Sequence, residues 1–288
     1  LAKALAALLV FGSAAPSVRA VTLDAYALGV VRLAAAAVVI GALLVVRGEL
    51  SLQTVRRWPW KTWRIFLAIG VFFGLHWLTY FLGIKWASAS IGAIGFTTFG
   101  VQLPLLGWLF GFGRPTVMMW AAFLMGLVGA AMCLPDWDLR GEVVPGLALA
   151  IVSGTFYAAL PLLHQRHSEL SHGMRTWAQF TFALPVFLVV TPLARWEFQW
   201  GDVPWLIHLA LVITLAGHYL WVQATTELPV QITAVLAYLV LPIAMFMAWL
   251  IVGERITPPM IVGASLVVAG NVLVMHNHRA AARAEPAP

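Results

Sequence analysis

The chain of 288 residues is 62% hydrophobic and only 10% charged, and its mean hydropathy is +0.91. This composition excludes an ordinary soluble domain and predicts a polytopic membrane protein. The formal charge of +6 comes from basic residues scattered between apolar segments, a pattern that argues against nucleic acid and favours anionic lipid as a partner.

Ten apolar segments are long enough to cross a bilayer, which takes about 20 such residues in a helix. In chain order they are 3–20, 25–46, 64–84, 88–111, 115–134, 143–164, 175–194, 203–223, 228–252 and 258–276. The first is also compatible with a signal peptide, because an Ala-x-Ala-like pattern follows its apolar part at 18–20. The tail 277–288 is rich in Ala, Arg and Pro and is predicted to be disordered.

A motif near the end of the chain has a weaker copy in the first half. The later copy contains Leu241-Pro242, Gly253-Glu254 and Gly263, and the earlier one contains Leu103-Pro104, Gly113-Arg114 and Gly129. Duplicated bundles are typical of transporters, and two copies of five spans each must enter the membrane in opposite directions. We therefore expect an all-α integral membrane protein of ten spans in two inverted five-helix repeats, 1–141 and 142–276. Removal of the first span as a signal peptide would leave four spans against five, so the repeat argues against it.

Basic residues give this arrangement an orientation. Arg47, Arg56, Arg57, Lys61 and Arg64 crowd the connection between the second and third predicted spans. Because such residues are retained on the cytoplasmic side, both termini are expected to be cytoplasmic in a multi-pass protein of the cell inner membrane.

The later motif, from Pro242 through Gly253-Glu254-Arg255-Ile256-Thr257 to Gly270, resembles the signature of EamA-type transporters in the drug/metabolite transporter superfamily. The run Ser153-Gly154-Thr155-Phe156-Tyr157-Ala158 is similar to the pattern of that family's sixth helix. One departure is Arg114, which stands where the family often has Glu. Within the family, aromatic amino-acid exporters of the YddG type share the size and aromatic content of this chain, so the resemblance implies export of aromatic amino acids.

Charged residues within the predicted spans are rare. The eleven Asp and Glu residues all fall at or near span boundaries, which disfavours proton-coupled antiport of cationic drugs, a mechanism that relies on an intramembrane carboxylate. A carrier of phosphorylated cargo is expected to place Lys or Arg inside the membrane to pair with phosphate. Only Arg32 and Lys85 are candidates for such a cation. Arg32 is the candidate anchor for a substrate carboxylate, and the alternative is a structural role in which it bonds helix carbonyls or snorkels to a surface.

Polar and aromatic residues recur at helical spacing and indicate helix faces that line a substrate cavity. The candidates are His76, Tyr80, Phe99, Gln102, Ser153, Tyr157, His218, Trp221 and Tyr238. The alternative is that their polar groups bond neighbouring helices. Pro104 and Pro242 fall at matching places in the two fourth spans and are predicted hinges, with fixed kinks as the alternative.

Together these patterns predict a secondary transporter and no enzyme, cofactor or metal site, since the single Cys133 gives no zinc spacing. We expect an exporter or facilitator of neutral or aromatic amino acids that works by alternating access as a monomer or homodimer. Other small neutral metabolites or drugs are the alternative cargo. An intramembrane hydrolase using Ser265 and His276 is a remote alternative, because both lie on one helix and the duplication is left unexplained.

Overall fold

The computed structural model describes residues 1–132 and 141–284, and this part of the chain is helical with no β-strand. Cys133 and the acidic residues Asp136 and Asp138 lie outside it. The helices are α1 (Ala2–Gly12), α2 (Ala14–Ala20), α3 (Ala25–Val46), α4 (Leu52–Arg56), α5 (Trp60–Trp86), α6 (Ala89–Thr97), α7 (Phe99–Leu109), α8 (Val117–Met132), α9 (Val143–Arg166), α10 (His172–Thr181), α11 (Leu184–Val190), α12 (Val203–Ile207), a π-helix (His208–Gly217), α13 (His218–Glu227), α14 (Val230–Ala237), α15 (Val240–Val252) and α16 (Pro258–Ala284).

Each predicted span overlaps one or more of these helices, and within the described ranges seven segments are long and apolar enough to cross a membrane. They are Ala25–Val46, Trp60–Trp86, Ile91–Leu109, Val143–Arg166, His172–Leu193, Trp200–Glu227 and Val230–Val252. Val117–Met132 and Pro258–Val274 are shorter apolar helices, and the first segment is divided at Ser13. The helical, multi-pass character is thus confirmed, whereas the number of ten spans and the inversion of the repeats stay predictions.

Helices break shortly before prolines in the two segments predicted to contain hinges. The junction of α6 and α7 at Thr98 precedes Pro104, and the junction of α14 and α15 at Tyr238 and Leu239 precedes Pro242. A proline lacks the N–H that would bond the carbonyl four residues earlier, so the turn before it tightens. The amide of Leu241 accordingly donates to the carbonyl of Tyr238, three residues back, at 3.0 Å.

Close packing joins the helices into one bundle. Helix α5 packs on α9, α8 on α16, α7 on α14 and α10 on α3, while α1 packs on both α13 and α15. A Cβ added to Gly129 would lie 2.5 Å from the carbonyl oxygen of Gly263, so α8 and α16 approach through backbone. This contact joins the fifth and tenth predicted spans, whereas Gly126 faces the ring of Tyr238.

The last helix extends to Ala284, beyond the end of the predicted tenth span. The helix thus continues into the segment 277–284, whereas the disorder of the tail stays a prediction. Its Ala and Arg residues have high helix propensity, so they prolong the preceding helix instead of ending it.

Candidate functional site: an aromatic cavity around a buried arginine

A cavity of about 50 Å³ lies at the centre of the bundle, where α1, α3, α5, α6, α9 and α13 converge. It is lined by seven of the residues that sequence reasoning selected: Arg32, His76, Tyr80, Phe99, Tyr157, His218 and Trp221. The cavity is smaller than the roughly 300–1,000 Å³ of a typical small-molecule site. Helices or side chains must therefore move to admit a substrate.

Arg32 projects from α3 and is only 2% exposed. Its Nε and Nη2 atoms donate to the hydroxyl of Thr214 at 3.2 and 2.9 Å, and its Cζ lies 4.1 Å from the ring centre of Trp77 and 5.0 Å from that of Phe81. Among the described residues, no carboxylate forms an ion pair with it. The guanidinium is thus a buried cation with π contacts and a neutral partner.

Thr214 is positioned by the π-helix. Its hydroxyl donates to the carbonyl oxygen of Leu209, five residues earlier, at 2.6 Å. The oxygen is consequently left to accept both hydrogen bonds from Arg32. Wider helical turns of this kind occur often at functional sites, and here the turn holds the orientation of the only described cation that lines the cavity.

The second polar element of the cavity wall is His76 on α5. Its Nδ1 pairs with the hydroxyl of Ser153 at 2.6 Å, and its ring lies 4.4 Å from that of Tyr157 and 5.8 Å from that of Tyr80. Ser153 is fully buried behind the imidazole and lies outside the set that lines the cavity. Its part in the site is to hold His76.

His218 begins α13, directly after the π-helix. Its Nδ1 donates to the carbonyl oxygen of Ile213 at 3.1 Å. The ring is enclosed by aromatic neighbours, with Phe11 at 4.7 Å, Phe73 at 5.0 Å and Trp77 at 5.7 Å between ring centres. The imidazole therefore lies against the same Trp77 ring as the guanidinium of Arg32.

Two further predicted residues lie away from this cavity. The Gln102 side chain donates to the Thr98 hydroxyl at 3.2 Å and to the Ile151 carbonyl at 3.3 Å, so it joins α7 to α9. Tyr238 is 1% exposed, and its ring packs against Gly100 and Gly126. Gln102 follows the helix break at Thr98, and Tyr238 lies in the break between α14 and α15. A break changes the direction in which side chains project, so these two residues do not point where a continuous helix would direct them.

Sequence reasoning missed several aromatic residues of the cavity wall: Phe11, Trp77, Phe81 and Phe96. An aromatic side chain in an apolar helix carries no mark of whether it faces lipid or protein. Trp77 and Phe81 are four residues apart on α5 and therefore lie on one face of that helix. The available signal was Arg32, because a buried guanidinium packs on aromatic rings.

Arg175 on α10 was also missed, and it is fully buried. Its Nε donates to the Leu170 carbonyl at 3.0 Å, and Nη1 donates to the His164 carbonyl and to the Thr226 hydroxyl at 3.0 Å. Nη2 donates to Nδ1 of His172 at 2.8 Å. The guanidinium thus joins the ends of α9 and α13 to the start of α10, outside the cavity.

Polar ties join the two predicted repeats at both ends of the bundle. At the end that we call the Asp202 end, the Thr22 amide donates to Asp202 at 3.0 Å, and the Arg195 amide donates to Asp24 at 2.5 Å. At the opposite end, the Glu227 end, Lys3 pairs with Glu227 at 2.8 Å. A second set of ties there comes from Ser171, which donates to Glu49 at 2.9 Å, and from Gln231, which donates to the Phe112 carbonyl at 3.1 Å.

Comparisons with known proteins agree with a membrane transporter. Residues 144–276 match the EamA-like transporter family. The chain is similar to "Uncharacterized transporter YwfM" of Bacillus subtilis (strain 168), with 22% identity over 243 residues, 81% of this chain and 79% of that protein. A solved structure described only as "Crystal structure of protein" has the same fold, with a TM-score of 0.76 and 19% identity over 96% of this chain and 97% of that one. The family match covers the second predicted repeat and suggests a membrane transporter.

Proposed function

We propose that this chain is a secondary transporter of the EamA type that moves small carboxylates with an aromatic or apolar body, neutral and aromatic amino acids above all, across the inner membrane. The observation that carries the proposal is Arg32, a buried cation without a carboxylate partner in the described chain, at the wall of an aromatic cavity.

The energetics of a buried cation support a carboxylate ligand. Removing a guanidinium from water is costly unless it is paired and hydrogen-bonded, and Thr214 satisfies only the Nε and Nη2 side. A substrate carboxylate would supply the missing negative charge and accept from the free N–H groups, in the paired geometry that guanidinium favours. Arginine at an intramembrane position is accordingly a functional-site candidate.

The aromatic walls favour the rest of such a molecule. Phe99, Tyr157 and Trp221 present rings to the cavity, and aromatic ligands pack on such rings in offset or edge-to-face arrangements. Among the described carboxylates none lines the cavity, so a ligand whose only charge is positive would meet Arg32 and no counter-ion. These features favour amino acids over cationic drugs; other small neutral metabolites or drugs are the second candidate.

Alternating access between two inverted repeats is the proposed mode of transport. Exchanging the first five helical segments with the last five turns the contact of α5 with α9 into that of α13 with α1, and it turns the contact of α7 with α9 into that of α15 with α1. The breaks before Pro104 and Pro242 correspond in the same way. The ties at the Asp202 end and the Glu227 end then act as two gates, and Pro104 and Pro242 act as hinges between them.

A catalytic role explains the pairing of His76 with Ser153 less well than transport does. His76 and Ser153 are within hydrogen-bond distance, as the nucleophile and base of a hydrolase would be. Ser153 lies behind the imidazole and does not reach the cavity, so its hydroxyl has no access to a substrate. Ser265 on α16 is engaged with the Ile261 carbonyl at 2.8 Å.

The test is counterflow with the purified full-length protein in liposomes. Vesicles loaded with unlabelled L-phenylalanine, L-tryptophan or L-leucine are expected to take up the labelled form of the same amino acid, and protein-free vesicles are expected not to. If none of the amino acids exchanges while a neutral drug or sugar does, the second candidate replaces the first.

A further inference from the structure

The tautomer of His218 is fixed by its backbone partner. A carbonyl oxygen can only accept, so Nδ1, which lies 3.1 Å from the Ile213 oxygen, carries the ring proton. In the neutral ring, Nε2 then presents a lone pair. No group in the described chain forms a hydrogen bond to this nitrogen, although the imidazole borders the cavity. His218 therefore has an unused acceptor on a ring that borders the cavity.

The acceptor and the cation are neighbours. The Trp77 ring has the Arg32 guanidinium 4.1 Å from its centre and the His218 imidazole centre at 5.7 Å. Thr214, which holds Arg32, lies one helical turn before His218. Both residues line the same cavity of about 50 Å³, so a molecule whose carboxylate meets Arg32 would have its adjoining atoms near His218.

His76 is a less defined partner for a ligand. Its Nδ1 pairs with a hydroxyl, and the Ser153 oxygen can donate or accept, so either tautomer of His76 fits the structure. Because no carboxylate of the described chain lines the cavity, an ammonium or hydroxyl donor of a ligand must find a neutral acceptor there. Of these two imidazoles, His218 is the one in which a backbone carbonyl fixes the ring nitrogen that accepts.

We propose that Nε2 of His218 accepts a hydrogen bond from the donor group on the α-carbon of the substrate, while Arg32 pairs with its carboxylate. The site thus selects aromatic α-amino carboxylates, with α-hydroxy carboxylates next, over carboxylates that lack an α-donor. This assignment rests on the proposed transport function and deepens it by naming what distinguishes a substrate from a plain organic acid.

A matched ligand series tests the assignment without any mutation. L-phenylalanine, L-3-phenyllactate and 3-phenylpropionate share the ring and the carboxylate and differ in the α-substituent. Their inhibition constants are measured against counterflow of whichever labelled member exchanges fastest in proteoliposomes of the full chain. We expect 3-phenylpropionate to bind about tenfold or more weakly than L-phenylalanine, because an unmet buried polar group costs that much or more, with phenyllactate between them.

The variant His218→Phe assigns the effect to one residue. It keeps an aromatic ring but removes the acceptor, so the affinity ratio of L-phenylalanine to 3-phenylpropionate is expected to fall close to one. His76→Phe is the matched control and should leave that ratio unchanged, and His218→Asn, which retains an acceptor, should keep part of it.

The outcomes separate this inference from the proposal beneath it. Equal inhibition by L-phenylalanine and 3-phenylpropionate in the wild type overturns the role of His218 while leaving carboxylate transport intact. A ratio that survives His218→Phe, or that collapses equally with His76→Phe, also overturns it. If none of the three compounds is exchanged, the transport function itself fails.

Discussion

At the scale of single residues, the properties of the site depend on the partners of one buried positive charge. Arg32 is held by a threonine hydroxyl and two aromatic rings, each a weaker partner than a carboxylate. Such an arrangement keeps the guanidinium oriented while leaving part of its charge available to a ligand.

The first prediction concerns Thr214, which orients Arg32. Thr214→Val removes the acceptor without changing the shape, and it leaves Nε and Nη2 of the guanidinium unpaired. We expect the inhibition constant of L-phenylalanine in counterflow to rise about tenfold, from the loss of roughly 1–2 kcal/mol of hydrogen bonding to a charged group. Thr214→Ser keeps the hydroxyl and should behave like the wild type; equal loss in both variants would show that the hydroxyl has no part in binding.

The second prediction concerns Arg175, whose role is structural. Arg175→Met leaves the carbonyls of His164 and Leu170 and the Thr226 hydroxyl without their donor. Detergent-solubilised protein is expected to lose about 2–4 kcal/mol of stability, seen as a lower thermal midpoint. Arg166→Met, which removes an exposed arginine of the neighbouring helix, is the control. A midpoint unchanged in Arg175→Met would refute the structural role.

These two arginines also show what sequence could reveal about the site. Arg32 was recognisable because it interrupts a long apolar segment, whereas Arg175 stands at the edge of its predicted span and looks like an interfacial residue. Trp77 and Phe81 were missed because hydropathy does not distinguish an inward aromatic ring from one that faces lipid. The prediction for Tyr238 assumed a continuous helix, whereas the helix breaks before Pro242 and the Tyr238 ring packs against Gly100 and Gly126.

At the scale of helices, close approach of backbones joins α8 to α16. A side chain at Gly129 would collide with the backbone of Gly263, and such overpacking cannot be relieved by rotating a flexible group. Small residues at helix contacts serve this purpose in membranes, where apolar burial alone does not bring helices together.

The third prediction follows from this contact. Gly129→Leu is expected to lower the stability of the detergent-solubilised protein by about 1–3 kcal/mol, because it forces α8 and α16 apart. The control is Val128→Leu, on the adjoining, 44% exposed position of the same helix. Comparable thermal midpoints for the two variants would contradict the packing described here.

The positions of the helices were largely predictable, since apolar length is a strong signal; α3 coincides with its predicted span at Ala25–Val46. The interruptions within helical segments were less predictable. Ser13 separates α1 from α2, and its hydroxyl lies 2.9 Å from Nε2 of His208, where the π-helix begins. Hydropathy contains no information about such contacts.

At the scale of the whole molecule, one central cavity lies within a helical bundle for which we propose two repeats. The family match and the similarity to a Bacillus subtilis transporter indicate the class of protein, and the cavity supplies the chemistry that distinguishes one cargo from another. The ties at the Asp202 end and the Glu227 end bracket that cavity, which is the arrangement that alternating access needs.

The most direct test of this account is counterflow of labelled L-phenylalanine through Arg32→Met, compared with the wild type and with Arg47→Met, which removes an exposed arginine at the end of the same helix. All three proteins are reconstituted after gel filtration and circular dichroism show equal folding. We predict exchange by the wild type and Arg47→Met, and a loss of about tenfold or more in Arg32→Met, the scale expected for removing a charge-assisted pair. Exchange by Arg32→Met at the wild-type rate and affinity would contradict the claim that Arg32 binds the substrate carboxylate.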